Sequence, residues 1–509
     1  LNWYSPSWGL FVIAGLSQVL SYGKLGSPSK RTAYRPRAYY VHPQGNDQDD
    51  GTIRHPWRTL SRVNGVILIP GDSVLFQGGQ SFSGTLMIDS PSGGNAQHPV
   101  LVGSYGPGAA NILPGDSSAI VLRGAAHFSI RNLHLSGAGR KTGNIRPGME
   151  ISNARNITVQ RLDISGFQKA GLLIYSSSDI QVLDVFAHEN GAAGIEVGGP
   201  KGKTDCRNLY IARCRAEDNP GDPSNLTNHS GNGIVVGHST QVTIEYCMAT
   251  NNGWDMPRIG NGPVGIWAYE SDQVTIQHCL SYRNKTSVGG ADGGGFDLDG
   301  GVTHSVIQYC LSYENQGAGF CIFQYYYASP WHDNVFRYNI SENDGSVSDA
   351  GGGLYVWNSS GDENLFYNCL VYNNTIYNAK AAALSYSTLS KRRHFSFYNN
   401  IFVGRDSLIK GERGVDEFRN NDWWSLTGTA KEIKAEKIPG MDLKPEFLDP
   451  GHTVLVSAQA LKTFGHYRLP AKSPLLRGGL ELNMPRTTTN PKTDFNGRSV
   501  ANKGMGACF

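Results

Sequence analysis

Residues 293–301 read Gly293-Gly294-Gly295-Phe296-Asp297-Leu298-Asp299-Gly300-Gly301, and the order glycine, apolar, variable, apolar within them recurs through the chain. It returns as Gly171-Leu-Leu-Ile174, Gly194-Ile-Glu-Val197, Gly233-Ile-Val-Val236, Gly265-Ile-Trp-Ala268, Gly319-Phe-Cys-Ile322 and Gly353-Leu-Tyr-Val356, with Ala383-Leu-Ser-Tyr386 as a degenerate last copy. Side chains alternate along a strand, so each copy reads as a short strand with two apolar residues on one face. A second strand follows each first one, for example Ile180-Gln-Val182, Val242-Thr-Ile244 and Val274-Thr-Ile276. The interval between copies, about 23 to 39 residues, is that of a solenoid repeat.

Two further columns are expected from the spacing. Cys214, Cys247, Cys279, Cys310 and Cys369 occupy one inward position, and Asn219, Asn252, Asn284, Asn315 and Asn374 follow five residues later as a turn column. Asn tolerates the left-handed conformation, and stacked amides can bond along the column. Glu189, Asp218, Glu314 and Glu342 read as equivalent turn positions. Length varies between the Asn turn and the next Gly strand, at 220–232, 253–264, 285–294 and 345–352. Insertions at one corner gather the long loops on one edge, where they build a cleft wall.

The composition agrees with short strands and tight turns. Gly numbers 63, aromatic residues make up 10% and charged residues 17%. A formal net charge of +3 is too small to imply nucleic acid or an anionic membrane as partner, and one local basic patch for an acidic polymer stays open. Tyr39–Val41 and Ser73–Phe76 read as strands, with a short helix starting at Pro56-Trp57-Arg58-Thr59-Leu60 that would cap the first coil. The apolar run Leu10–Leu16 and the polar stretch Ser21–Lys30 read as a leader, which predicts a secreted, periplasmic or cell-surface protein without a membrane span once mature. The expected divisions are 1–38 (leader and linker), 39–118 (N-terminal cap and first coils), 119–409 (regular coils) and 410–509 (irregular C-terminal cap and last coils).

This pattern resembles the pectate-lyase-like superfamily, and Thr493-Asp-Phe-Asn-Gly-Arg498 with Gly504-Met-Gly-Ala507 resembles the closing segment of secreted members. The resemblance implies an all-β, single-stranded, right-handed parallel β-helix and a carbohydrate-active protein.

Aligning the Gly strands yields two outward columns. One runs Leu173, Glu196, Val235, Trp267, Asp297, Cys321, Tyr355, and the other Tyr175, Gly198, Gly237, Tyr269, Asp299, Phe323, Trp357. Asp is disfavoured in exposed strands, so two of them beside stacked aromatic rings require a reason. Paired carboxylates are what glycosidic cleavage needs, one as proton donor and one as base or nucleophile. Asp297 and Asp299 are the expected catalytic core, assisted by Asp292 or Glu270. Trp267, Tyr269, Gln324, Tyr325, Tyr355 and Trp357 are the expected sugar platform, with Lys285 and Arg258 as nearby basic groups. The substrate class is a polysaccharide or oligosaccharide, with no cofactor required.

Asp292-Gly293 with Gly295-Phe-Asp-Leu298 also resembles the acidic motif of a calcium-dependent pectate lyase family, which implies a second reading. In it Asp292, Asp297 and Asp299 bind Ca²⁺, and Lys285 or Arg258 acts as base. A third reading is a non-catalytic carbohydrate-binding adhesin. Gly198–Thr204 is too short by one residue for a phosphate loop and enters a strand where a helix is needed. The 14 His residues lack metal-ligand spacing in sequence, although His238 and His332 are placed near the cleft by the repeat alignment.

Overall fold

Phe296 and Leu298 point into one continuous apolar core, and Phe296 stacks on Phe320 of the next coil at 5.3 Å between centroids. In this computed structural model, residues 35–509 are described apart from 142, 349–350, 389, 406–407, 429–432, 434–436, 483–490 and 501–502. The leader read at Leu10–Leu16 lies outside the described residues. Residues 36–509 form one compact unit.

Twelve parallel strands make the sheet that carries Asp297, from Leu86–Asp89 through Gly294–Leu298 to Ile409–Lys410. The remaining strands form the other walls of the coil, bending at residues of positive φ such as Arg213, Tyr246, His278, Tyr309 and Tyr338. A second corner bends at Glu189, Asp218, Asn251, Arg283, Glu314 and Asn343. The left-handed residue therefore precedes each ladder Asn, contrary to the expectation that the Asn itself takes that conformation. The ladder amides lie inside the corner. Asn219 donates both its backbone N–H (3.1 Å) and Nδ2 (2.9 Å) to Asn252 Oδ1, and Asn252 does the same to Asn284. Burial of a polar amide costs free energy unless it is bonded, and here each is bonded to the next coil.

This ladder ends on Asp344, which accepts from the Asn315 backbone and Nδ2 at 2.9 Å each. Asn374 belongs to a different column. Cys310 N–H donates to Asn339 Oδ1, and Asn339, Asn374, Asn400 and Asn421 continue upward from the Cys positions. Cys369 likewise leaves the Cys column and pairs with Asn334. A 3₁₀ turn at Glu363–Leu365 consumes residues before the strand starts at Phe366, which shifts the alignment by five positions. All eight cysteines are buried and free.

Glu342 is not a turn residue either. It ends a buried strand and accepts from Thr453 N (2.9 Å), Thr453 Oγ1 (2.6 Å) and the Tyr467 hydroxyl (2.6 Å). Coils continue to Asn421–Ser425 and Gly440–Met441. The chain after them runs back along the outside, where Tyr313 donates to Leu455 O and Asn373 Nδ2 to Gly504 O. At the other end, a helix spans Leu60–Asn64, later than the expected start at Pro56. Thr59 Oγ1 caps it by accepting from Arg62 N at 3.2 Å, and Leu60 and Val63 join the main core.

Candidate active site

The register is the one expected: Trp267 pairs with Asp297, Asp297 with Cys321, and Cys321 with Tyr355 on successive strands. Over this face lies a cavity of about 770 Å³, lined by Glu196, Trp267, Tyr269, Asp292, Asp299, Phe323, Tyr325, Tyr355 and Trp357, with further residues from the inserts. That volume is in the range of pockets that enclose a small ligand.

Asp292 and Asp299 reach the cavity by different routes. Asp292 sits at φ +58 before Gly293 at φ +76, a reversal that returns the insert to the strand. Its Oδ2 accepts the Gly262 N–H at 2.8 Å. Burial pushes its pKa up to about 6, opposed by that backbone bond. Asp299 lies one residue past the strand, and its Oδ1 accepts the Gly300 N–H at 2.7 Å. Burial raises its pKa to about 7, the Gly300 bond opposes this, and the charges of Asp292 and Glu270 add to it.

Asp297 faces the same side but lies under the cavity wall. It is 2% exposed, its Oδ1 has no hydrogen-bond partner, and it does not line the cavity. Burial, with the neighbouring Asp299 and Asp292, raises its pKa well above the usual range. Desolvation disfavours the charged form of a carboxyl so placed.

Glu270 is not on the cavity wall either; it holds Tyr325, whose hydroxyl donates to Glu270 Oε1 at 3.2 Å. Gln324 is a correction to the expected platform. It is fully buried, accepting from Gly301 N at 3.2 Å and donating to Ser329 O at 3.0 Å. Lys285 and Arg258 are absent from the lining as well. Arg258 braces the neighbouring loop by donating to Asn261 O at 2.9 Å. His238 packs edge-on against Tyr269 outside the lining, and His332 lies past the end of the strand face.

The aromatic residues form two groups flanking the acids. Trp267 and Tyr269 are tilted together at 5.4 Å, and the Tyr269 ring lies over Gly237, where a Cβ would meet it at 2.2 Å. Phe323 packs edge-on against Tyr355 and Trp357 at 5.5 and 5.6 Å. Trp267 is only 4% exposed.

The inserts contribute residues that periodicity does not reveal. Trp267 Nε1 donates to Asn232 Oδ1 at 3.1 Å, and Asn232 Nδ2 lies 3.0 Å from His229 Nδ1. Burial, with the Arg258 charge, depresses the His229 pKa to about 4, so the ring is neutral and accepts at Nδ1. Asn261 Nδ2 donates to Asn228 Oδ1 at 2.8 Å and joins two inserts. Glu196, visible in the outward column but without a second acid beside it, also lines the cavity; burial raises its pKa and the Lys169 charge opposes this.

Residues 39–343 match the family model described as the Pel9A-like right-handed β-helix region. The chain belongs to this Pel9A-like β-helix family. This Pel9A-like chain is 22% identical to a lacto-N-biosidase of Bifidobacterium longum subsp. longum across 81% of its own length, and it spans about a third (32%) of that relative. Among solved structures, the GH136 lacto-N-biosidase of Eubacterium ramulus superposes with a TM-score of 0.50 at 18% identity, covering 75% of this chain and 67% of that one. A mannuronic acid specific family 6 polysaccharide lyase from human gut microbiota superposes with a TM-score of 0.54 at 15% identity, covering 80% and 91%. These two likenesses show a shared fold and nothing of activity.

Calcium, implied by the lyase motif, fits this Pel9A-like site poorly. Among the described residues, the one group of three or more His, Cys, Asp or Glu with ligand atoms all within 4.8 Å is His304, His332 and Asp333. Asp292, Asp297 and Asp299 do not converge on one point, whereas Ca²⁺ requires six to eight oxygens at about 2.3–2.6 Å.

Proposed function

We propose that the protein is a glycoside hydrolase that cleaves neutral oligosaccharides, with Asp292 and Asp299 as its carboxylate pair. The carrying observation is that both line one cavity, with pKa values raised to about 6 and about 7. Between those values the pair holds one proton, so one acid can protonate the glycosidic oxygen while the other acts as base or nucleophile. Asp297, on the strand between them, has no part in the lining. The relative named lacto-N-biosidase supports the same reaction class and makes lacto-N-type oligosaccharides the first substrates to try.

The charge of the site favours a neutral sugar. No Lys or Arg lines the cavity among the described residues, while Glu196, Asp292 and Asp299 do. A uronate polymer would set its carboxylates against these acids without a cation to offset them. The lining amides of Asn225, Asn228 and Asn261 and the neutral His229 offer hydrogen bonds to hydroxyl or acylamino groups. Tyr269, Tyr355 and Trp357 offer ring faces for the apolar sides of sugars.

The test is product formation from a panel of neutral oligosaccharides, lacto-N-type sugars among them, and of polyuronates, with and without a calcium chelator. New reducing ends from a neutral sugar, undiminished by chelator, are expected. Ultraviolet-absorbing unsaturated products from a polyuronate would establish the lyase reading, and binding without any product the adhesin reading.

A further inference from the structure

His304, His332 and Asp333 stand apart from the cavity, at the corner the chain reaches after the Asp299 strand, and none of them lines the cavity. Asp272, Thr303 and His332 bridge one another on three successive coils, and His304 N–H donates to His332 O at 3.2 Å. His304 and Asp333 each adopt positive φ (48° and 58°), and each immediately follows one member of the bridged pair Thr303 and His332.

The ring and carboxylate atoms converge. Asp333 Oδ2 lies 2.7 Å from His332 Nδ1 and 3.8 Å from His304 Nε2. On a tetrahedral ion with bonds of about 2.0–2.2 Å, donor atoms sit roughly 3.3 Å apart. The Asp333 oxygen stands about half an ångström from that spacing on either side, and all three ligand atoms lie within 4.8 Å of one another. The outer atoms are held as well. His304 Nδ1 lies 2.7 Å from Asp272 Oδ1, which also accepts the Thr303 hydroxyl at 2.7 Å. Asp333 Oδ1 accepts Asn368 Nδ2 at 3.1 Å, and the His332 ring stacks on Tyr367 at 4.9 Å. A carboxylate behind a ligating imidazole fixes its tautomer and strengthens it as a ligand.

We propose that His304, His332 and Asp333 bind one divalent first-row transition ion, Zn²⁺ for example, with Asp272 orienting His304 and the remaining position open to solvent. Two imidazoles and one carboxylate suit such an ion better than Ca²⁺ or Mg²⁺, which prefer oxygen ligands. Bound there, it clamps two successive coils, with a third tied to them through the Asp272 contact to His304.

Protein stripped of metal and titrated with ZnCl₂ by calorimetry is expected to take up one ion per chain and to melt at a higher temperature. His304→Ala and Asp333→Asn should each weaken this uptake at least tenfold, with metal-free melting temperatures close to the parent's. Asp272→Asn should weaken it by roughly 10- to 100-fold. CaCl₂ and MgCl₂ should leave the melting temperature unchanged. No one-to-one zinc uptake by the parent protein, or undiminished uptake by His304→Ala, would overturn the proposal.

Discussion

Tyr325 donates its hydroxyl to Glu270 Oε1 at 3.2 Å, and the same oxygen accepts the Ser329 N–H at 3.0 Å. Glu270, at φ +44, passes its carboxylate over Gly301, where a Cβ would lie 2.6 Å from Oε2. The contact fixes one cavity wall beside Asp299, and the Glu270 charge raises the Asp299 pKa. Glu270→Gln is therefore expected to lower the alkaline limb of the pH–rate profile while KM changes little. Glu270→Ala, which also releases Tyr325, should raise KM several-fold. Steady-state kinetics across pH on both variants checks this.

Asp297 and Asp299 should respond differently to amidation. Burial disfavours the charged form of Asp297, and its side chain does not line the cavity. Asp297→Asn is expected to retain activity within about tenfold, since general acid–base groups contribute roughly 10²–10⁴ and Asp297 has no such part in the proposed reaction. Initial rates at saturating substrate distinguish it from Asp299→Asn.

The raised carboxylates also predict how stability varies with pH. Below the ordinary Asp value both folded and unfolded chains hold the proton, and Asp299 carries no penalty. Between that value and about 7 the folded chain retains a proton that the unfolded chain has released, so stability falls as pH rises. Asp299→Asn should accordingly be more stable than the parent at pH 8, by on the order of 2–4 kcal/mol. The advantage should vanish below about pH 4, near the ordinary Asp value. Urea unfolding at pH 4 and pH 8 measures it.

Asn252 connects three coils through its amide, which accepts from Asn219 N and Nδ2 and donates to Ala216 O (3.0 Å) and Asn284 Oδ1 (2.9 Å). Asn252→Ala strands two buried Asn219 donors, each costing about 1–3 kcal/mol. The expected loss is several kcal/mol in urea unfolding, large for a change of one side chain.

The two outward columns were legible in the sequence because glycine and period-two burial repeat strictly, and Trp267, Asp297, Cys321 and Tyr355 pair as that pattern requires. Depth was not legible. Register places Asp297 on the outward face, but its cover comes from neighbours on other coils and inserts. His229 lies on an insert without periodicity, and Asn232 opens the next strand opposite Ala193, a position where the repeat carries no recurring Asn. The misplacement of Cys369 and Asn374 has a local cause, the 3₁₀ turn at Glu363–Leu365, which spacing counts as strand.

The proposed reaction requires Asp292 and Asp299, which line one cavity from an insert and a strand end, to act as a pair. Its most direct test is the hydrolysis rate of Asp292→Asn and Asp299→Asn on a cleaved neutral oligosaccharide, each with its circular dichroism and melting temperature. Losses of roughly 10²-fold or more in both variants, with the fold intact, are predicted. Near-parental turnover in either folded variant would contradict this pairing.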